Sequence, residues 1–177
     1  MKKNLLKLKR GFTVIEVSLV ISIAGLIFLM VFVALPGLRA SQRDTQRRDD
    51  MLSFVETVKK YQTNNRGALP TGTEDEEVVE HGENGADNTW QGFYNKYLGN
   101  FVDPDGEYYK LKVIGCDTEG EDCKGGDLED ASFPNDYTIL VVTRAKCSGS
   151  KAVRVSNPRN LAVLYRLEGS GVYCTST

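Results

Sequence analysis

The hydrophobic pattern of the chain begins with one long apolar stretch close to the N-terminus. Between residues 14 and 35 the only charged side chain is Glu16. A helix needs about 20 apolar residues to cross the hydrocarbon core of a bilayer. The basic residues ahead of the stretch should hold that end in the cytoplasm by the positive-inside rule; they are Lys2, Lys3, Lys7, Lys9 and Arg10. The pattern therefore predicts a single-pass membrane helix with the rest of the chain outside.

After Pro36 and Gly37 the pattern changes to that of an amphipathic helix. Apolar side chains recur at three- and four-residue spacing and form one stripe, at Met51, Phe54, Val55, Val58 and Tyr61. Residues 64–67 (Asn-Asn-Arg-Gly) supply a helix stop. We expect one long helix from about residue 12 to residue 66. Pro36 and Gly37 should kink it, because proline removes a backbone hydrogen bond.

The helix surface between the membrane stretch and this stripe is densely charged. Its charged side chains are Arg39, Arg43, Asp44, Arg47, Arg48, Asp49 and Asp50. The sequence favours a solvated helix face with local ion pairs. A set of salt bridges between subunits is the alternative interpretation.

The remainder, residues 67–177, is predicted to be a globular head. Residues 71–88 have the composition of an exposed connection, and the aromatic residues of 89–100 suggest a short helix packed under a sheet, with a ligand-binding aromatic box as the alternative. Strand patterns follow at residues 108–114, 136–143, 161–167 and 172–174. The predicted fold class is α+β, with a long helix packed against a small antiparallel sheet of about four strands.

Four cysteines, Cys116, Cys123, Cys147 and Cys174, all follow the membrane stretch. An even number on the exported side favours disulfide bonds, and four cysteines allow three connectivities. We prefer Cys116 with Cys123, closing a short acidic loop, and Cys147 with Cys174, tying the last strand to the sheet.

Candidate chemistry in the head is sparse. Asp103, Asp105 and Glu107 have the spacing that opens a calcium loop, but the Asp-Pro-Asp-Gly sequence is itself a strong turn signal. We therefore favour a turn, with a calcium site as the alternative and no other cofactor. No enzyme signature is present in the sequence, so a catalytic function is not predicted.

The start of the chain does not match a cleaved secretory signal. Such a signal has an apolar core of about 7 to 15 residues and a small-residue cleavage site after it. Here the apolar run is longer, and no such site ends it. A plain membrane anchor would leave Glu16 unexplained, because a carboxylate inside a membrane segment is costly and usually marks a functional partner.

The segment Gly11-Phe12-Thr13-Val14-Ile15-Glu16, after a basic leader, resembles the processing site of type IV pilins and type II secretion pseudopilins. The resemblance covers the first 35 residues. It implies cleavage after Gly11 by a prepilin peptidase and N-methylation of Phe12. It also implies that Glu16 pairs with the Phe12 ammonium of a neighbouring subunit and so sets the register of a filament.

Weaker similarities to the same family lie further along the chain. Residues 47–70 resemble the end of the pilin helix and its exit turn. Residues 103–109 resemble the D-P-x-G-x-x-Y turn that leads into the first strand of pseudopilins. The family fold, a long helix packed on an antiparallel sheet, agrees with the fold class predicted from the pattern.

The resemblance divides the chain into a leader (1–11), a transmembrane and filament-core helix (12–35), an amphipathic half-helix (36–66) and the head. It implies a helical homopolymer, an assembly ATPase and a platform protein as partners. The precursor would be in the cytoplasmic membrane with its N-terminus inside, and the assembled form would be an extracellular pilus. Without its leader the chain has 17 basic and 24 acidic side chains, which argues against nonspecific nucleic-acid binding by the head.

Two alternatives stay open at this point. Within the family, the chain could be a minor pilin or a pseudopilin, and the filament could serve adhesion, motility, secretion or DNA uptake. From another class, it could be a signal-anchored extracellular binding or enzymatic domain.

Overall fold

A computed structural model describes residues 11–72, 78–116, 123, 137–169 and 171–177. The chain divides into two compact units, with the boundary between Arg39 and Ala40. One helix, α1 (Val14–Asn64), begins in the first unit and ends in the second.

The first unit presents apolar side chains on its surface. Its helix is long and apolar enough to cross a membrane, and none of its most apolar window is buried within the protein. Large residues such as Phe12, Phe28 and Phe32 are 88%, 64% and 72% exposed. The helix continues through Pro36 and Gly37. The kink at these two residues stays a prediction.

The second unit is built on a five-stranded sheet. Its strand order is β1–β2–β3–β6–β7, and a separate hairpin pairs β4 with β5. The strands are β1 (Val78–Val79), β2 (Lys110–Gly115), β3 (Thr138–Thr143), β4 (Ala145–Ser148), β5 (Lys151–Arg154), β6 (Leu161–Arg166) and β7 (Val172–Ser176). A short helix α2 (Trp90–Phe93) continues into a π-helical turn, Tyr94–Leu98.

The sheet is mixed, and the prediction of a purely antiparallel sheet was wrong. Strands β2 and β3 run parallel, with Leu111 opposite Ile139, whereas the other neighbouring pairs are antiparallel. Parallel neighbours need a crossover of a dozen or more residues, and residues 116–137 provide that length. A strand pattern in the sequence does not encode strand direction, so the prediction missed this pair. The α+β class is correct.

The sheet has a core on each face. One face packs against the stripe of α1 and the aromatic side chains of Trp90, Phe93 and Tyr94, all of them buried. The other face is covered by residues of the β4–β5 hairpin and by the half-cystines Cys116 and Cys123. This explains why β3 and β6 read as continuous apolar runs rather than alternating ones. The aromatic side chains of residues 89–100 therefore pack into the core, as we favoured over a ligand-binding aromatic box.

Both disulfide bonds of the structure have the pairing that we preferred from the sequence. They are Cys116–Cys123 and Cys147–Cys174. The second joins β4 to β7, so it connects the hairpin to the edge of the main sheet. The segment 71–88, predicted as an exposed connection, contains β1, whose two valines pair with β2. Neither β1 nor the hairpin was predicted from the sequence.

Candidate functional site

The N-terminus of α1 is closed by a reciprocal pair of side chains. The Glu16 backbone N–H donates to Thr13 Oγ1 at 3.3 Å, and the Thr13 backbone N–H donates to Glu16 Oε2 at 3.0 Å. This arrangement is a capping box, formed when Ser or Thr precedes Glu by three positions. It explains locally why the helix begins where it does.

The capping box occupies only half of the Glu16 carboxylate. Thr13 Oγ1 also donates to Oε2, at 3.0 Å, so both hydrogen bonds reach the same oxygen. Within the part of the chain that the structure describes, the other oxygen, Oε1, accepts none. The carboxylate is therefore exposed, fixed in position and still able to accept a bond from a cationic group of another molecule. Phe12 beside it is exposed as well.

A second constellation lies inside the head, where Arg47 of α1 meets the turn that precedes β2. Arg47 Nε donates to Asp103 Oδ2 at 2.7 Å, and Arg47 Nη2 donates to Asp103 Oδ1 at 3.0 Å. Arg47 Nη2 also donates to Asp105 at 2.7 Å, and Arg47 Nη1 donates to Glu168, which follows β6. Arg47 and Asp103 are 4% and 2% exposed, so the centre of this network is a buried ion pair, whereas the Asp105 and Glu168 side chains are partly exposed.

The turn itself holds Asp103 in place. The Asp105 backbone N–H donates to Asp103 Oδ1 at 2.9 Å, and Gly106 donates to the Asp103 carbonyl oxygen at 2.8 Å. Gly106 has φ +96°, which favours glycine. The Tyr165 hydroxyl donates to the same carboxylate at 3.3 Å.

This geometry gives the candidate calcium residues another role. Asp103 and Asp105 both pair with Arg47, and the Glu107 backbone carbonyl accepts the Asp103 N–H at 2.8 Å. Among the described residues, no group of three or more His, Cys, Asp or Glu side chains is placed to hold a metal ion. The structure fits the interpretation of this segment as a turn, and the positive charge that its aspartates bind is that of Arg47.

The network shifts the pKa values of its members. Burial opposes ionisation of Asp103, but the hydrogen bonds from Arg47 and Asp105 outweigh it and lower the pKa of Asp103. The hydrogen bond from Arg43, ahead of those from Arg47, lowers the pKa of Glu168 to about 2. The Asp103 hydrogen bond raises the pKa of Arg47. Each group is thus fixed in its charged form.

Two further carboxylates of α1 bind the same region. Asp44 accepts the backbone N–H groups of Glu168 and Gly169 at 2.9 and 2.8 Å. Asp50 accepts the Tyr109 hydroxyl at 3.0 Å. Burial, the largest cause, raises the pKa of Asp50. Together with Arg47, these side chains fix the amphipathic half of α1 on the sheet.

The favoured interpretation of this helix face as solvated was wrong for Asp44 and Arg47. Both are buried, and both pair with other residues of the same chain. A signal was present in the sequence. Counting back from Met51 in steps of four and three places Arg47 and Asp44 on the same stripe as the apolar residues. Charges on a buried stripe must be paired, which predicts partners elsewhere in the head.

Comparison of the chain with protein-family models, with curated proteins and with solved structures found no match. The cleavage, methylation and register roles of Gly11, Phe12 and Glu16 therefore stay predictions.

Proposed function

We propose that this chain is a structural subunit of a type IV pilus-like filament, cleaved after Gly11 and assembled through its N-terminal helix. One observation carries the proposal. The apolar half of α1 is unburied within the protein, and its only carboxylate is exposed beside the predicted cleavage site.

The exposed apolar surface of this helix must be shielded from water. Contiguous apolar surface of this extent is unstable in water and marks an interaction with a membrane or another protein. A bilayer covers it in the precursor, and the same helices of other copies cover it in a polymer. The proposal therefore gives one segment two successive environments.

Glu16 distinguishes this proposal from a plain membrane anchor. In a bundle of apolar helices, an unpaired carboxylate would be strongly unfavourable. Cleavage after Gly11 would create an ammonium group at Phe12, and the open Oε1 of Glu16 can accept a bond from the Phe12 ammonium of a neighbouring copy. Such a pair sets axial register, a known use of buried polar groups in helical assemblies.

The head suits the outside of a filament. Its ion network and its two disulfides are formed by residues of the second unit and involve none of the apolar stretch. Disulfides of this kind persist in oxidising compartments, as expected for the exported side of a membrane. The implied partners are a prepilin peptidase, an assembly ATPase and a platform protein.

Substitution of Glu16 tests the proposal directly. Glu16→Gln keeps the shape and the hydrogen bonds from Thr13 but removes the charge. We expect this variant to accumulate in the membrane at the wild-type level and to yield roughly a hundredfold less polymer in sheared fractions, since breaking a buried pair costs about 3 kcal/mol or more.

The matched control is Glu56→Gln, which makes the same change at an exposed position of α1 in the head. It should assemble normally. Polymer yields that are equal for Glu16→Gln and wild type, or a wild-type chain that forms no polymer in its native cells, would contradict the proposal.

A further inference from the structure

An open groove lies where the C-terminus of α1 meets the loops after β3 and β5. Its volume is about 560 Å³, within the range of ligand-binding clefts. Its lining includes Trp90, the only tryptophan of the chain, and three arginines, Arg66, Arg144 and Arg159. We call it the arginine groove.

The arginine groove is uniformly cationic among the described residues. Of the residues that the structure describes, no aspartate or glutamate lines it. The three arginine side chains are exposed, and none of them makes a hydrogen bond or an ion pair with another residue of the described chain. This contrasts with Arg43 and Arg47, whose guanidinium groups pair with carboxylates of the same chain.

Arg66 occupies a backbone position that ordinarily takes glycine. The Gly67 N–H donates to the Gln62 carbonyl oxygen at 2.7 Å, and Arg66 between them has φ +57°. This is the left-handed C′ position of a Schellman motif. A side chain other than glycine is disfavoured there, and such conformations persist where the surrounding structure imposes them.

Arg144 is held in the same unfavourable conformation. It has φ +58° between β3 and β4. Its N–H donates to the Asn160 carbonyl oxygen, and its own carbonyl accepts the Val155 N–H, both at 2.8 Å. Two of the three arginines therefore stand at left-handed positions, although glycine or asparagine would fit both with less strain.

Arg159 reaches the groove from the loop after β5. Its carbonyl oxygen accepts the Gln62 side-chain amide at 2.7 Å, which attaches the loop to the end of α1. Its guanidinium lies against Gly67 so closely that an added Cβ there would be 3.0 Å from Cζ. Three separate segments thus bring their arginines to one opening.

The plain alternative is that these cations stabilise the C-terminus of α1 through the helix dipole. That effect would account for Arg66 and Arg159. It does not require an arginine at the left-handed position between β3 and β4, and it does not explain the apolar cleft beside the charges.

We propose that the arginine groove binds an acidic segment of a second copy of this chain. The guanidinium fork binds carboxylates in a bidentate geometry, and Ala68, Leu69 and Pro158 supply accessible apolar walls for the peptide backbone. The inference rests on the proposed function in one respect, since assembly is what brings copies together.

Charge complementarity identifies the occupant. Without residues 1–11 the chain has an excess of acidic over basic side chains, and four consecutive acidic residues stand at positions 74–77. In a polymer the neighbouring copy presents such runs at high effective concentration, so weak binding at the groove is sufficient.

The test titrates the full-length chain in detergent micelles with a fluorescent peptide of residues 72–80, Gly-Thr-Glu-Asp-Glu-Glu-Val-Val-Glu, at low ionic strength. Anisotropy reports binding, and the fluorescence of Trp90 reports its location. We expect saturable binding that weakens about tenfold in the Arg66→Asn, Arg144→Asn, Arg159→Gln triple variant, as three exposed ion pairs would give.

The controls separate site binding from general attraction. The variant Lys59→Gln, Lys60→Gln, Lys146→Gln removes the same charge from exposed positions outside the groove and should bind as wild type. Equal weakening of peptide binding in both triple variants would overturn the proposal. So would an uncharged peptide that binds as tightly as the acidic one, or inorganic phosphate that competes for the groove more strongly than the peptide does.

The chain's own acidic run is another potential occupant. If the peptide binds only after residues 74–77 are changed to Gln, Asn, Gln and Gln, the groove serves its own chain and the proposal is wrong. Because the assay uses dispersed chains, it does not depend on polymer formation. If the peptide does not bind but the chain forms polymer normally, this inference is wrong and the proposed function stands. If the peptide binds but the chain forms no polymer, the proposed function is wrong and this inference stands.

Discussion

Arg47 and Asp103, 56 positions apart in the chain, form a bidentate buried ion pair. Nε and Nη2 of the arginine reach the two carboxylate oxygens at 2.7 and 3.0 Å. One residue is in the long helix and the other is in the turn before β2. The pair therefore fixes the position of the helix on the head through charge as well as through apolar packing.

Removing the cation should destabilise the head strongly at neutral pH. Arg47→Met leaves the Asp103 carboxylate buried without its partner, and breaking a buried pair in this way costs about 3 to 5 kcal/mol. Chemical denaturation at pH 7 measures the loss. A loss below about 1 kcal/mol would show that the network contributes little.

The effect of Arg47→Met should depend on pH in a defined direction. In the wild type, the pKa values of Glu168 and Asp103 are lowered from their ordinary values of 4.5 and 3.8. Their stabilisation is therefore fully present above those ordinary values and is lost as the pH falls toward about 2. In the variant, buried Asp103 without a cation has a raised pKa, so protonation relieves it. The stability difference between the two proteins should narrow on acidification. A difference that stays constant from pH 7 to pH 3 would contradict this assignment.

Asp44 should contribute mainly through its two backbone contacts, because its ion pair with Arg47 is longer, at 3.7 Å. Asp44→Ala leaves the N–H groups of Glu168 and Gly169 without their acceptor, at a cost of about 1 to 3 kcal/mol. Asp49→Ala, on the exposed side of the same helix, should change the unfolding free energy by less than about 0.5 kcal/mol. Equal effects of the two substitutions would argue against a specific role for Asp44.

The Cys147–Cys174 disulfide should stabilise the head by restricting its unfolded state. Its cysteines are 27 positions apart, and closing a loop of that length stabilises by about 3.5 kcal/mol in the chain-entropy model. The Cys147→Ala, Cys174→Ala double variant should therefore unfold at lower denaturant concentration. The wild type with both disulfides reduced should be at least as unstable as the double variant. An unfolding midpoint of the double variant equal to that of the oxidised wild type would contradict this prediction.

Replacing a strained arginine by glycine should raise stability. Relief of the left-handed conformation is expected to stabilise Arg144→Gly by about 1 kcal/mol. Arg66→Gly should gain less, because it also removes a cation from the helix C-terminus, worth about 0.3 to 1 kcal/mol. Lys60→Gly, within the helix, should instead lose about 1 kcal/mol. Thermal unfolding distinguishes these signs, and a destabilised Arg144→Gly would show that its side chain supports the fold.

The sequence was informative where periodicity and composition carry the signal. The apolar stretch, the stripe from Met51 to Tyr61, the buried aromatics and the disulfide pairing all agree with the structure. These features depend on the local residue pattern, on the length of a segment or on the cellular compartment. Each of these can be inferred without knowing which distant segments contact each other in the fold.

What the sequence did not reveal depends on contacts between distant segments. The partners of Arg47 come from the turn before β2 and the loop after β6, and the parallel pairing of β2 with β3 depends on the route of the chain between them. The arginine groove is a similar case, because its three arginines are spread over more than ninety positions. Only the position of Arg47 and Asp44 on the buried stripe could have indicated that partners exist.

The most direct test of the account is the mass of the N-terminal peptide and of the intact protein isolated from its native cells. The account predicts a chain that begins at Phe12 and carries one added methyl group. A chain that still begins at Met1, in cells with a working prepilin peptidase, would contradict it.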